Sequence, residues 1–143
     1  MKNTVKSIMI AFVLIVGLTQ CKKEETYKGT KIENMKYEVS ALNDCTTSAG
    51  TGSSIELLIT AESIPSTENI YGVKLSYLFS AGGNGESIVR DLTIDILKKE
   101  LTLSRCVTFG SSSSISYEAQ IVMKNGDVGP PAKLILNRPS GAN

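Results

Sequence analysis

Cys21, Cys45 and Cys106 are the three cysteines of this sequence, and no histidine accompanies them. Without an imidazole there is no partner to activate a serine or cysteine, no histidine ligand for zinc or haem, and no side chain whose ordinary pKa suits a general base near pH 7. Nucleophilic chemistry at sulfur requires Cys45 or Cys106 to be unpaired. Asp91 with Asp95, or Glu56 with Glu62, would supply the two carboxylates of a glycosidase. Their even spacing puts each pair on one polar strand face, where charges are ordinarily solvated. Asp44 and Asp127 offer loop oxygens to calcium, but no Asp-x-Asp-x-Asp-Gly run surrounds either. Gly82-Gly83-Asn84-Gly85 has neither the spacing nor the following helix of a phosphate or dinucleotide loop, and reads as a turn. The chain is expected to be no enzyme, with no cofactor and no metal.

Cys21 has a different context. Lys2 and Lys6 precede an apolar run of eleven residues, Ile8 to Leu18, the layout of an exported precursor. At 1.5 Å per residue that run reaches only about 17 Å, short of a hydrocarbon core of roughly 30 Å, so a signal peptide over residues 1–20, helical in the precursor, is expected in place of a membrane span. Leu18-Thr19-Gln20-Cys21 resembles the bacterial lipobox. That resemblance implies a lipoprotein whose Cys21 is acylated, with palmitate or a similar chain, and becomes the first residue after cleavage. Lys22-Lys23-Glu24-Glu25 looks like the lipoprotein export signal of the Bacteroidota, which implies the outer leaflet of the outer membrane and exposure at the cell surface. The plainer reading of the same residues is a solvated tether on a protein in the periplasm-facing leaflet.

Losing Lys2 and Lys6 turns a net charge of +1 into a single net negative charge, a balance that calls for no nucleic acid. Residues 21–33 carry dense charge and few aliphatics, so a flexible tether is expected there. Residues 34–138 are expected as one domain, with residues 139–143 as a flexible tail.

Within that domain the hydrophobic period is two. Met35, Tyr37, Val39 and Ala41 alternate with polar residues, and so do Ile55, Leu57, Ile59 and Ala61 after a Gly/Ser/Thr-rich loop at 43–53. Tyr71, Val73, Leu75, Tyr77 and Phe79 form the third inward stripe, with Leu58, Leu78 and Val122 outward. Residues 87–105 fit either an amphipathic helix or two strands joined near Lys98-Lys99-Glu100; Thr and Ile favour the strands. Ile115 to Met123 is a strand ended by Asn125-Gly126, and Ala132 to Asn137 is the last. About seven strands without βαβ alternation predict an all-β, antiparallel β-sandwich.

Ser116 to Val122, followed by Asn125-Gly126-Asp127-Val128-Gly129-Pro130, looks like the F strand and F–G loop of immunoglobulin-like and fibronectin type III domains, with Tyr117 where those domains place a tyrosine. In such a sandwich the A–B and E–F connections lie at one end, which would bring Cys45 and Cys106 together. With Cys21 taken by lipid, one pair remains in an oxidising compartment, and a Cys45–Cys106 disulfide is expected; two buried free thiols are the alternative.

The function that follows is a lipid-anchored module for protein binding, adhesion or envelope assembly, its partners the membrane and an envelope or extracellular protein. The alternative is a glycan-binding accessory of a surface carbohydrate-uptake system. Glycan platforms use exposed aromatics, however, and Tyr37, Tyr71, Tyr77, Phe79, Phe109 and Tyr117 all fall on faces expected to be buried.

Overall fold

The computed structural model describes residues 26–143; the segment 1–20 expected as a signal peptide, Cys21 and Lys22, Lys23, Glu24 and Glu25 lie outside the described residues. Eight strands follow in order: β1 (Ile32–Thr47), β2 (Gly50–Ala61), β3 (Ile70–Phe79), β4 (Asn84–Val89), β5 (Thr93–Asp95), β6 (Glu100–Val107), β7 (Ser114–Met123) and β8 (Ala132–Asn137). They form two antiparallel sheets, β1-β2-β6-β5 and β4-β3-β7-β8. This is the immunoglobulin-like arrangement, with the hallmark A-B-E-D order on one side and C-F-G, extended by one strand, on the other.

Alternation builds the core on β2, β3 and β7, whereas on β1 Val39, expected to face inward, is 38% exposed. Ile55, Leu57, Ile59 and Ala61 of β2 face Val73 and Leu75 of β3 and Ile115, Tyr117, Ala119 and Ile121 of β7 across the space between the sheets, and all are buried. Burying each large aliphatic contributes roughly 1.5–3 kcal/mol. Tyr77 packs edge-on against Phe79 at 5.6 Å and lies 6.1 Å from Tyr117. Burial pushes the Tyr117 hydroxyl up to about 12 against the opposing pull of Arg105.

The ambiguous stretch resolves into strands. Residues 96–99 make a tight turn between β5 and β6, closed by Lys99 N–H donating to the Ile96 carbonyl at 3.2 Å, with Lys99 in the left-handed region at φ 56°. Helix geometry would have swung Leu101 and Leu103 to different faces; as a strand, β6 buries both.

Several expectations need correction. The extra strand, β4, takes Asn84 and Gly85 from the expected turn and Ser87 to Val89 from the stretch that fitted a helix or two strands, and pairs Asn84 to Val89 with Leu78 to Val73. Tyr71 is not a core residue: the β3–β7 register slips between Ile70 and Gly72, Ile70 takes the buried position, and the Tyr71 ring lies half-exposed under the Arg90 guanidinium, 4.3 Å away. The 43–53 loop is the tip of a long β1–β2 hairpin whose register shifts three times, between Ile32 and Asn34, Val39 and Ala41, and Ala41 and Cys45.

Both termini of the domain are also more fastened than expected. Ile32 and Met35 are buried, and Gly29 N–H donates to the Val128 carbonyl at 3.1 Å, so the chain joins the domain before residue 34. Gly29 and Gly129 meet backbone to backbone: a Cβ on Gly129 would overlap the Thr30 carbonyl. Residues 139–143, expected to be a loose tail, fold back. Arg138 holds the Ala142 carbonyl at 2.6 and 2.9 Å, Asn43 Nδ2 donates to Gly141 at 2.8 Å, and Phe109 N–H donates to Asn143 at 3.1 Å.

Candidate functional site

Cys45 and Cys106 form the expected disulfide, with Cα atoms 5.8 Å apart. Cys45 sits at the end of β1, not in a loop, and the bond joins β1 to β6 past the intervening β2. Reaching across β2 requires β1 to shift, and the bulge between Ala41 and Cys45 supplies that shift. Asn43 in the bulge has φ 52°, which asparagine tolerates. Asp44 secures the bulge by accepting from Ser54 N–H at 2.9 Å and from the Ser54 hydroxyl at 2.8 Å. The hydroxyl bond, foremost, holds the Asp44 carboxyl below its ordinary value.

The carboxylates singled out for chemistry are spread over the molecule. Glu56 stands in mid-β2 opposite Glu38, whereas Glu62 lies beyond the strand's end. Asp95 is committed to the β5–β6 turn, where it accepts from Lys98 N–H at 3.1 Å, and this bond leads in lowering its pKa. Asp91 is exposed between β4 and β5. Asp44 and Asp127 stand at opposite ends of the sandwich, Asp127 in a local exchange with Asn125. Among the described residues, no three His, Cys, Asp or Glu side chains gather as a metal site.

What the structure does assemble is the outer face of the β4-β3-β7-β8 sheet. Register places Asn84, Leu78, Ser116 and Ile135 in one row across the four strands, and Glu86, Ser76, Glu118 and Lys133 in the next. Leu78 is 56% and Ile135 60% exposed, on either side of Ser116. The second row is charged: Lys74 pairs with Glu86 at 3.0 Å and Lys133 with Glu118 at 3.6 Å. Lys74, foremost, and the Ser76 hydroxyl hold the Glu86 carboxyl below its usual range. A shallow groove of about 520 Å³, lined by Leu78, Asn84, Glu86, Ser116, Glu118 and Lys133 among others, lies over the charged row and over the first row as far as Ser116. Two exposed aliphatics, Leu78 and Ile135, beside alternating charges can take up a complementary protein surface, and in the charged row the Ser76 hydroxyl donates to the Glu86 carboxylate at 3.1 Å.

No family model, no curated protein and no solved structure matches this chain.

Outward Leu78 was foreseen, but Ile135 was not. Its signal was the run Leu134-Ile135-Leu136: three apolar residues in a row on a strand force one to face solvent. Leu97, 96% exposed on the β5–β6 turn, was missed as well. An aliphatic side chain within a turn next to Lys98-Lys99 was its sequence signal.

Proposed function

We propose that this protein is a non-enzymatic lipoprotein, anchored through Cys21 in the outer membrane, whose sandwich binds a protein partner of the envelope or cell exterior through the outer face of β4-β3-β7-β8. Support for the anchor comes from the Leu18–Cys21 motif and the charges after it, and support for surface exposure from Lys22-Lys23-Glu24-Glu25. The observation that carries the binding role is the pair of large aliphatics left in solvent, Leu78 lining the groove and Ile135 in the same cross-strand row outside it, beside two ion pairs. Such rows resemble the apolar centre and polar rim of a protein interface.

Site-specific photo-crosslinking from Ile135 on intact cells tests this. A discrete crosslinked envelope protein is expected, lost on Leu78→Glu while thermal stability is kept. Absence of any discrete crosslink would overturn the binding face. Metabolic labelling with a palmitate analogue tests the anchor: label lost on Cys21→Ser is expected, and label that survives it would remove the lipoprotein reading.

The glycan-binding alternative gains one feature, since Tyr71 lies on the outer side. Its ring is already covered by Arg90, which leaves less of it for a sugar. A glycan array on the domain separates the two readings, reproducible binding favouring the second.

A further inference from the structure

The strand pairings fix which parts of the molecule share an end. Ile32 at the start of β1 stands opposite Ala61 at the close of β2, and Ala61 N–H donates to the Lys99 carbonyl at 2.9 Å. Glu62 N–H in turn donates to the Lys31 carbonyl at 2.9 Å. The β5–β6 turn therefore lies at the end of the sandwich where the chain arrives from Cys21. The disulfide and the hairpin tip at Thr47–Gly50 lie at the other end. Two strand spacings separate β1 from β6, so the turn stands about 10 Å to the side of Ile32.

The turn is held firmly. Asp95 accepts from Lys98 N–H, Lys99 N–H closes onto Ile96, and the Lys99 carbonyl is tied to β2. At its tip Leu97 is 96% exposed, more than any other large aliphatic among the described residues, and neighbouring Ile96 is 45% exposed. Turns are ordinarily built from Gly, Pro, Asn, Asp and Ser, so two aliphatics on a fixed tip ask for an apolar medium in front of them.

Resting on the reading of Cys21 as the anchor, we infer that this turn touches the bilayer that holds it. Leu97, with the flank of Ile96, sits among the lipid headgroups and upper acyl chains, and Lys98 and Lys99 lie at the level of the phosphates with their stems along the apolar boundary. The chain length permits it. Gly29 is already bonded to Val128, so Cys21 and Gly29 are joined by only the seven residues 22–28, which reach at most roughly 25 Å. Charges at this end are mixed: Glu62 and Glu68 follow β2, Lys124 and Asp127 follow β7, and Asp95 pairs with Lys98 at 3.5 Å. The contact therefore depends on the apolar tip more than on anionic lipid.

The chain has no tryptophan, so a single one reports on its own surroundings. Acylated Leu97→Trp protein and acylated Ala49→Trp protein, whose reporter sits at the distal hairpin, are each placed in phosphatidylcholine vesicles containing brominated phosphatidylcholine. Expected is a blue-shifted Leu97→Trp emission, quenched several-fold more than that of Ala49→Trp, with little change when a third of the lipid is phosphatidylglycerol. Protein that floats with the vesicles while Leu97→Trp emits as in water overturns this inference alone. Protein that fails to float overturns the anchor and this inference with it. Equal quenching of both reporters also overturns it, because the domain would then be lying on its side.

Discussion

At the distal end the chain is fastened by a disulfide, by the Thr47–Thr108 hydroxyl contact at 2.7 Å, and by the folded-back tail that Asn43 and Arg138 hold. At the end where β1 begins, closure comes from buried Ile32, Met35, Ala61, Ile64 and Ile70 and from Gly29 packed on Gly129. The reason for the difference is in the burial. From Ala41 to Thr51 the hairpin has no fully buried residue. Hydrophobic packing cannot hold such a segment, so covalent and polar ties do. The near end has a packed interior, and its side chains can afford to leave an aliphatic tip outside.

The sharpest way to break this contrast is to remove the distal staple. Cys45 and Cys106 are 61 residues apart, and closing such a loop stabilises by about 4 kcal/mol in the chain-entropy model before any strain is deducted. The double variant Cys45→Ser, Cys106→Ser is expected to lose a large part of that in urea denaturation, with proteolysis appearing first between residues 41 and 52.

A smaller loss, about 1–3 kcal/mol, is expected from Gly129→Ala, since the new methyl overlaps the Thr30 carbonyl and must push the 26–31 segment away. Hydrogen exchange should then rise at Gly29 while the distal end stays protected. If both ends loosened together, the ends would not be independent. Arg138→Ala removes the bonds to Ala142 and Gly110 and should cost about 1–2 kcal/mol, with faster exchange at Phe109, whose N–H donates to Asn143.

The finest comparison uses one carboxylate from each end. Asp44 and Asp95 have folded pKa values below the unfolded value of about 3.9, so each stabilises fully above that pH and loses its contribution as pH falls through the folded value. Asp44→Asn and Asp95→Asn should each lower stability slightly at pH 7 and converge with the parent near pH 2, as followed by urea midpoints. Unequal convergence would rank the hairpin bulge against the β5–β6 turn.

The clean period of two in β2 from Ile55 to Ala61 and in β7 from Ile115 to Ile121 was legible because each inward position there carries an aliphatic or aromatic side chain. The disulfide was legible by counting cysteines once a sandwich was in view. β4 was not, because two of its inward positions are Gly85 and Ser87, and its larger aliphatic Ile88 faces out; small residues there make room for the Tyr77 ring. Tyr71 misled for a different reason: a bulge changes the phase of a strand without changing its alternation in sequence. The docking of residues 139–143 depends on Asn43, about a hundred positions away, and long-range polar ties leave no local pattern. Of the proposed binding face, Leu78 could be read from its parity, whereas Ile135, across Ser116 from it, requires the β7–β8 register.

The repeated slips of register along β1 have a consequence for self-association. At high local concentration, exposed sheet edges favour pairing of one edge with the next. β1 is such an edge, and it offers a neighbour only short regular runs, the longest of them, Asn34–Val39, bearing exposed Lys36 and Glu38. Across the same sheet β5 is three residues long, and beyond it β6 turns Arg105 inward to meet Ser87 at 3.4 Å. Neither edge of the β1-β2-β6-β5 sheet therefore provides a long template for pairing with a second copy.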